Sequence, residues 1–442
     1  MSEEERDLVR VLRVYHAGRS QADRARDRAL TARGVDDILV VPSRWPGGGA
    51  EEVLSSEDFP IVELPVRRPG DVNRHAYTDS SVLARLARDL APDVLDIHEE
   101  PFSVAARQWL SAVPPDLPVV MYTAQNIDKR FPPPFLQFER AAHRRVAALY
   151  PCSIQAASVA RGKGFSGFIE VLPLGYDESV FFPGTQALDD DEIVLGLFGR
   201  LVPEKGVMDA IEILACVNRA RSARLVVVGG GPEESAARAR AAALGLTDRL
   251  DVLAWQPASE LAQTYRRTHV VLVPSHPTTT WVEQFGRVIV EAQASGSVVA
   301  GYATGAIPEV AGKPAMLTEV GAVAELGEGV AALVSDPVDY GRRRAQGIEL
   351  SSSRTWNEVA TRQVDLYRRV VAGDVPRLDL PRSPRRRRRL AQTEFGPVAS
   401  TTAGARPFAL PILRRGGMVA AAVAGALDVT AELFTRVTRI LR

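Results

Sequence analysis

Strand-like and helix-like segments alternate along this chain, stop once, and then alternate again. In the first series VLRVYHAG reads as a strand entering a glycine loop, RARDRALTARG as a helix and DILVVP as a second strand. The helical SSVLARLARDLAP precedes the strand VLDIH, and PVVMYTA, FLQFERAAHRRVAALYPCS and IEVLPLG read as strand, helix and strand. Repetition of a βα unit dictates a mostly parallel sheet with helices on both faces, because parallel strands need crossovers that cover the sheet. The segment GYDESVFFPGTQALDDDE breaks the pattern; it is rich in turn formers and acids and reads as a linker. A second series follows, with strands at IVLGLFGR, RLVVVGGGP, DRLDVLAW, HVVLVPS and SVVAGY and helices between them, one starting near Phe285. WNEVATRQVDLYRRVV reads as a last helix. The expected fold class is α/β: two doubly wound domains, at 8–175 and 192–352, joined by a linker at 176–191 and followed by a closing helix at 353–372. Ligands of such sheets lie outside the carboxyl ends of the strands, so a cleft between the domains is where chemistry is expected.

Bulk properties narrow the partners. The 54 basic residues balance the 54 acidic ones, which gives no reason to expect nucleic acid. Cys152 and Cys216 stand in no metal or redox spacing; a disulfide framework is excluded and a reducing cytoplasm fits. The acidic start MSEEERDLVRVLRVYHAG does not read as a signal peptide.

The tail has a different composition. Residues 373–415 are rich in Pro and Arg, with five consecutive cations from Arg385 to Arg389, and are expected to be disordered. Over 416–442, Leu427, Phe434 and Leu441 recur every seven residues while Arg436, Arg439 and Arg442 gather at the end. Asp428 and Glu432 make this a poor spanning segment, and it reads as a basic amphipathic helix suited to the inner membrane surface. A helix packed on the protein is the alternative.

Two motifs carry chemistry. FGRLVPEKG sets Arg200 and Lys205 in a strand-to-helix loop. Backbone amides and the helix dipole favour an anion there, and the two cations would add charge-assisted hydrogen bonds to a diphosphate. Solvated surface cations are the alternative. Further on, VPSHPTTTWVEQFGRVIVEA carries Glu283 before a helix and Glu291 within it, with Phe285 and Gly286 where the helix begins. A carboxylate accepts hydrogen bonds from the vicinal hydroxyls of a sugar or ribose, although a dipole-stabilised and a surface Glu would look the same.

Taken in this order, FGRLVPEKG and EQFGRVIVEA resemble glycosyltransferase family 4, whose members are retaining enzymes of the GT-B fold, two Rossmann-like domains facing each other across a cleft. LPLGYDESVFFP is similar to that family's linker, VVVGGGPE to its C-terminal glycine loop and TWNEVATRQVDLYRRVV to its crossing helix; the likeness covers residues 8 to 372. The resemblance implies a nucleoside-diphosphate sugar donor and no other cofactor. It implies that Arg200 and Lys205 neutralise the leaving diphosphate, that Glu283 holds donor-sugar hydroxyls, that Phe285 and Gly286 offer amides and that Glu291 grips the ribose. Gly230 belongs to the glycine loop, and Trp255 and Gln256 would lie near the base. Gly18 matches a loop that approaches the diphosphate, although HAGRS stands where many members have paired glycines. His98, in VLDIHEEP, resembles the family's active-site histidine. Position at strand ends suggests His16, Tyr122 and Asn126, with Gln125, for the acceptor pocket.

The implied reaction proceeds by same-face attack with retention, the leaving phosphate oxygen taking the acceptor's proton. Arg200 and Lys205 would make a metal unnecessary, and the acidic run Asp189 to Asp191 precedes its strand, the wrong end for a diphosphate. The acceptor would be a glycan, a lipid-linked glycan or a small molecule, in bacterial capsule, exopolysaccharide or cell-wall glycan synthesis. A degenerate membrane-associated scaffold or a nucleotide-sugar epimerase are the alternatives; a nicotinamide dehydrogenase lacks its glycine spacing.

Overall fold

A computed structural model describes residues 8–46, 54–186, 188 and 192–396. The first domain is built on seven parallel strands: β1 (Val9–Val14), β2 (Val35–Pro42), β3 (Ile61–Leu64), then β6 (Val94–Ile97), β7 (Val119–Thr123), β8 (Ala148–Pro151) and β9 (Phe168–Ile169), with a small antiparallel ladder of β4 (Val66–Arg67) and β5 (Ala76–Tyr77) beside it. Their order is β3-β2-β1-β6-β7-β8-β9. The second domain holds β10 (Ile193–Phe198), β11 (Ala223–Val228), β12 (Leu250–Leu253), β13 (Val270–Val273), β14 (Val298–Tyr302) and β15 (Met316–Thr318) in the order β12-β11-β10-β13-β14-β15. Strand order reverses beside β1 and beside β10, which opens a crevice at the carboxyl ends of both sheets. The central strands are buried along their whole length because helices cover both faces: every residue of β6, β8, β13 and β14 is buried. The expected α/β fold with two doubly wound domains is present.

Some boundaries differ from the expectation. FLQFERAAHRRVAALYPCS is not one helix; the helix Phe135–Arg145 ends and the chain re-enters the sheet as β8. A short apolar run such as AALYP suits a buried strand and a buried helix equally, and pairing with β7 and β9 decides. The strand expected at IEVLPLG is confined to Phe168–Ile169, upstream of Pro173, which has no amide to donate. Helices at Val104–Ala112 and Ile154–Lys163 went unread.

The closing helix spans Trp356–Val371, capped by Thr355, whose hydroxyl accepts from the Glu358 amide at 3.1 Å. Its apolar face, with Val359, Val364 and Tyr367, packs on Val11, Leu30, Val94 and Val120 of the first domain. Its polar contacts are as specific. Tyr367 donates to Asp96 at 2.6 Å and Gln363 at 3.0 Å, and Asp96 also accepts from Arg13 at 2.8 Å and from the Tyr150 hydroxyl. Arg13 completes its own pairing on Asp27 at 2.7 Å.

The stretch 373–415, expected to be disordered, contains a helix at Pro384–Phe395 that packs on the Ile154–Lys163 helix. Arginine is a good helix former, and two of the five cations find acceptors on the protein. Arg161, buried, donates to both oxygens of Glu394 at 2.8 Å, Arg387 reaches the Gly162 carbonyl and Arg388 pairs with Asp128. Ala391 is fully buried in the seam. The rest of that stretch, the amphipathic helix expected at 416–442 and the acidic run Asp189 to Asp191 lie outside the described residues. No described helix is long and apolar enough to cross a membrane.

Contacts between the domains gather at the ends of β7 and β8. Glu100 accepts from the Thr123 hydroxyl and the Ala124 amide, both at 2.8 Å, and fixes the loop leaving β7. The Ala124 carbonyl then accepts from Gln284 at 3.0 Å, and Asn126 donates to the Glu283 carbonyl at 2.8 Å. Glu309 of the second domain accepts the Ile154 amide at 2.8 Å, at the start of a first-domain helix.

Tyr367→Phe removes one of the four donors to a buried carboxylate; urea unfolding should show a loss of about 1–3 kcal/mol with an unchanged slope. Burial raises the Glu100 carboxyl to about 7, against the two hydrogen bonds that favour its ionised form. A carboxyl raised on folding binds its proton more tightly in the native state, so stability falls as pH rises from the ordinary carboxylate range toward 7 and levels off above it. Urea midpoints at pH 5 and pH 8 should therefore show the wild type losing ground to Glu100→Gln; an equal change in both proteins contradicts that assignment.

Candidate active site

The carboxyl ends of the two sheets enclose a cavity of about 370 Å³. Tyr15, Asp23, Arg26, His98 and Tyr122 form its first-domain wall, and Glu283 to Arg287 form the opposite one. The second wall exists because two glycine-rich loops interlock behind it. The Gly199 amide donates to Val228, Leu201 to the Gly230 carbonyl at 3.0 Å and Glu233 to the Leu201 carbonyl at 3.1 Å. A Cβ at Gly229 would lie 2.0 Å from the Gly199 carbonyl oxygen, and one at Gly231 would lie 2.3 Å from that of Leu201, so these glycines admit backbone against backbone. Gly230 itself faces open space. Gly206, at φ +68°, brings the loop against the Pro274 carbonyl in the same way.

Lys205 and Glu283, read from separate motifs, meet: the ammonium donates to the carboxylate at 2.6 Å. Trp281 lies 5.0 Å from the Lys205 nitrogen and shields that pair. Arg200 is exposed, and among the described residues its guanidinium has no ion pair. The Phe285 ring is buried in the domain core, while Gly286, at φ +83°, starts the helix Arg287–Ala294. The first-turn amides of that helix have no acceptor within it, and this end borders the cavity. Glu291, one turn beyond Arg287, accepts from the Tyr265 hydroxyl at 3.2 Å. Burial raises its carboxyl, and Arg287 opposes that rise.

On the first-domain wall, His98 stacks on Tyr122 at 4.0 Å and meets Tyr15 edge-on at 4.4 Å. Its Nδ1 lies 3.1 Å from the Tyr150 hydroxyl, whose own proton goes to Asp96. That chain of hydrogen bonds makes Nδ1 the donor and leaves the Nε2 lone pair for a hydroxyl. Burial, then the charges of Arg13 and Arg26, hold His98 well below the usual imidazole range, so it is neutral.

Other expected residues lie elsewhere. His16 is not on the cavity: its Nδ1 pairs with Glu99 at 2.8 Å and its ring lies 4.5 Å from Trp45. Burial works against the charged form of His16, but Glu99 outweighs it and the pKa is raised. Asn126 spans the domains and does not line the cavity. Gly18 is buried in a short 3-10 turn, where a Cβ would meet Leu39 at 3.1 Å, so packing against β2 explains its size. Trp255 is 78% exposed, and Gln256 accepts from Thr264 at 2.9 Å; neither borders the cavity. Asp23, Arg26 and Arg287 went unread. Asp23 and Arg26 follow Gly18 closely and Arg287 follows Gly286, so adjacency to the two motifs was the available signal. Arg287 pairs with Asp23 across the cleft at 3.4 Å.

Comparison with known proteins agrees with this geometry. Residues 181–349 match the family described as Glycosyl transferases group 1, and residues 28–180 match Glycosyltransferase Family 4. The chain is 31% identical over 222 residues to the D-inositol 3-phosphate glycosyltransferase of Segniliparus rotundus, covering 46% of this chain and 48% of the relative. It is 34% identical over 166 residues to the 2-deoxystreptamine glucosyltransferase of Streptomyces kanamyceticus, covering 37% and 40%. These matches thus span about half or less of each relative's length. Among solved structures, HepE of Anabaena in complex with UDP and glucose superposes with a TM-score of 0.62 at 18% identity, over 81% of this chain and 99% of that one. Sucrose-phosphate synthase from Thermosynechococcus elongatus gives 0.63 at 16% identity, over 83% and 100%. With one domain matched to each half of the family and both sheets arranged as in these structures, the chain belongs to glycosyltransferase family 4 and has the GT-B fold.

Proposed function

We propose that this chain transfers a sugar from a nucleoside-diphosphate sugar to an acceptor hydroxyl, with retention of configuration and without a metal. The observation that carries this reading is the convergence of Glu283, which holds Lys205 behind it, and the helix start at Gly286 on a cavity whose other wall presents neutral His98 and Tyr122. The donor's diphosphate would lie against Arg200, Lys205 and the amides at Phe285 and Gly286, with the glycine loop at Gly230 and the turn at Gly18 bordering its path. Glu291 would take the ribose hydroxyls, and Trp255 with Gln256 the side nearest the base. Lys205 already has a carboxylate partner, so an arriving phosphate would share the ammonium and free Glu283 to accept sugar hydroxyls.

Heterolysis of the sugar–phosphate bond places negative charge on the departing oxygen. Preorganised cations and amides stabilise that charge without reorganisation. The acceptor oxygen attacks on the face being vacated, its proton passes to the departing phosphate oxygen, and the new bond has the old configuration. His98 Nε2 would hold a sugar hydroxyl by accepting its hydrogen bond. Tyr122 would meet the acceptor from the cavity wall, with His16 and Asn126 in the same domain but outside the lining. Since two cations neutralise the leaving group, no metal is needed in this scheme.

The acceptor class is left broad by the relatives, one named for an inositol phosphate and one for 2-deoxystreptamine. A glycan, lipid-linked or small-molecule acceptor in bacterial polysaccharide or cell-wall synthesis at the cytoplasmic membrane face is the setting proposed here, with the basic tail as the surface contact.

A panel of nucleotide sugars, beginning with UDP-glucose, tests the donor reading through thermal stabilisation and nucleoside diphosphate release. Lys205→Ala should lower kcat/KM by about 100- to 1,000-fold while keeping the unfolding midpoint. Glu291→Ala should weaken donor stabilisation. No stabilisation and no release with any donor would instead favour a degenerate scaffold. Deleting 397–442 should abolish co-sedimentation with anionic vesicles; unchanged co-sedimentation removes the tail as the membrane contact.

A further inference from the structure

We propose that the cavity binds a carboxylate or phosphate carried by the acceptor, held by the guanidinium of Arg26. This rests on the sugar-transfer reading and narrows its acceptor to an anionic one.

Arg26 is 2% exposed and borders the cavity. Its Nε and Nη1 are buried with no hydrogen-bond partner, and its Nη2 makes one long bond, 3.3 Å, to the Pro173 carbonyl. The guanidinium carbon lies 5.0 Å from the centre of the Trp356 ring and 5.7 Å from that of the Tyr150 ring. These cation–π contacts hold the group in place and leave the Nε and Nη1 donors without a protein acceptor, charged N–H groups suited to the oxygens of a carboxylate or phosphate.

The surrounding carboxylates are committed elsewhere. Asp96 and Asp27 pair with Arg13, Asp23 with Arg287 and Glu283 with Lys205. No described carboxylate makes an ion pair with Arg26. A buried cation without a counter-charge is costly, and a ligand anion would remove that cost. Arg200 and Lys205, the cations suited to the donor diphosphate, do not border the cavity, whereas Arg26 does. Sequence order agrees: Arg26 comes from the first domain, the half expected to bind the acceptor.

The test uses the full chain and two probes, UDP and inorganic phosphate, by isothermal titration. Phosphate should bind the UDP-saturated wild type at one site. Arg26→Gln should weaken phosphate at least tenfold and leave UDP affinity within twofold. Equal phosphate affinity in wild type and variant, or no phosphate binding to the UDP-saturated protein, overturns the proposal. A parallel loss of UDP affinity assigns Arg26 to the diphosphate and overturns it too. Failure of the wild type to bind UDP removes the sugar-transfer reading and with it the acceptor assignment, while the phosphate series alone still decides whether Arg26 holds an anion. Arg26→Lys, which keeps the charge and loses the separate Nε and Nη1 donors, should fall between the other two, and urea midpoints establish that both variants fold. Should neither fold, wild-type crystals soaked in tungstate decide: density against Nε and Nη1 supports the site, and its absence there overturns it.

Discussion

The Asp96 carboxylate at the end of β6 ties the molecule together. Arg13 from β1, Tyr150 from β8, and Gln363 and Tyr367 from the closing helix all donate to it. A buried carboxylate of this kind is tolerable only when its oxygens are fully satisfied, and here the satisfaction requires three distant parts of the chain at once. The same network orients the cleft. Tyr150, having given its proton to Asp96, accepts from His98, and Arg13 is next to Tyr15 on the cavity wall. The last helix is therefore part of the first domain's interior, and its docking and the tautomer of His98 depend on one anion.

The segment from Glu283 to Arg287 plays a comparable part for the second wall. Its Glu283 carbonyl accepts from Asn126 and from the Ala306 amide, Gln284 reaches the loop after β7, and Arg287 reaches Asp23. A short run thus carries both the groups proposed to meet the donor and the contacts that set the distance between domains. Glu309 at the start of the Ile154–Lys163 helix adds a carboxylate where a helix dipole favours one. Changes in donor occupancy would be felt at these contacts, because a phosphate would compete with Glu283 for the Lys205 ammonium.

Reading the sequence recovered the parts that are local. Gly206 and Gly286 have positive φ and mark the two loops, and the glycine run after β11 meets Gly199 and Leu201 at distances that forbid a side chain. Such needs are written into residue type. By contrast, the Arg-rich run was misread: five cations in a row look solvated until Asp128 is brought beside Arg388, the Gly162 carbonyl beside Arg387, and Arg161 beside Glu394 of the same helix.

What the sequence determined by itself was the α/β alternation, the break between two domains, the loops bearing Arg200, Lys205 and Glu283, and the helix bearing Glu291, since period and steric permission act between neighbours in the chain. Tertiary structure alone decided that Lys205 pairs with Glu283, that His16 turns to Glu99 while His98 faces the cleft, and that Arg26 is left buried with two unpaired nitrogens. The physical reason is that charge and burial depend on which groups share a small volume, and those groups come from residues far apart in the sequence.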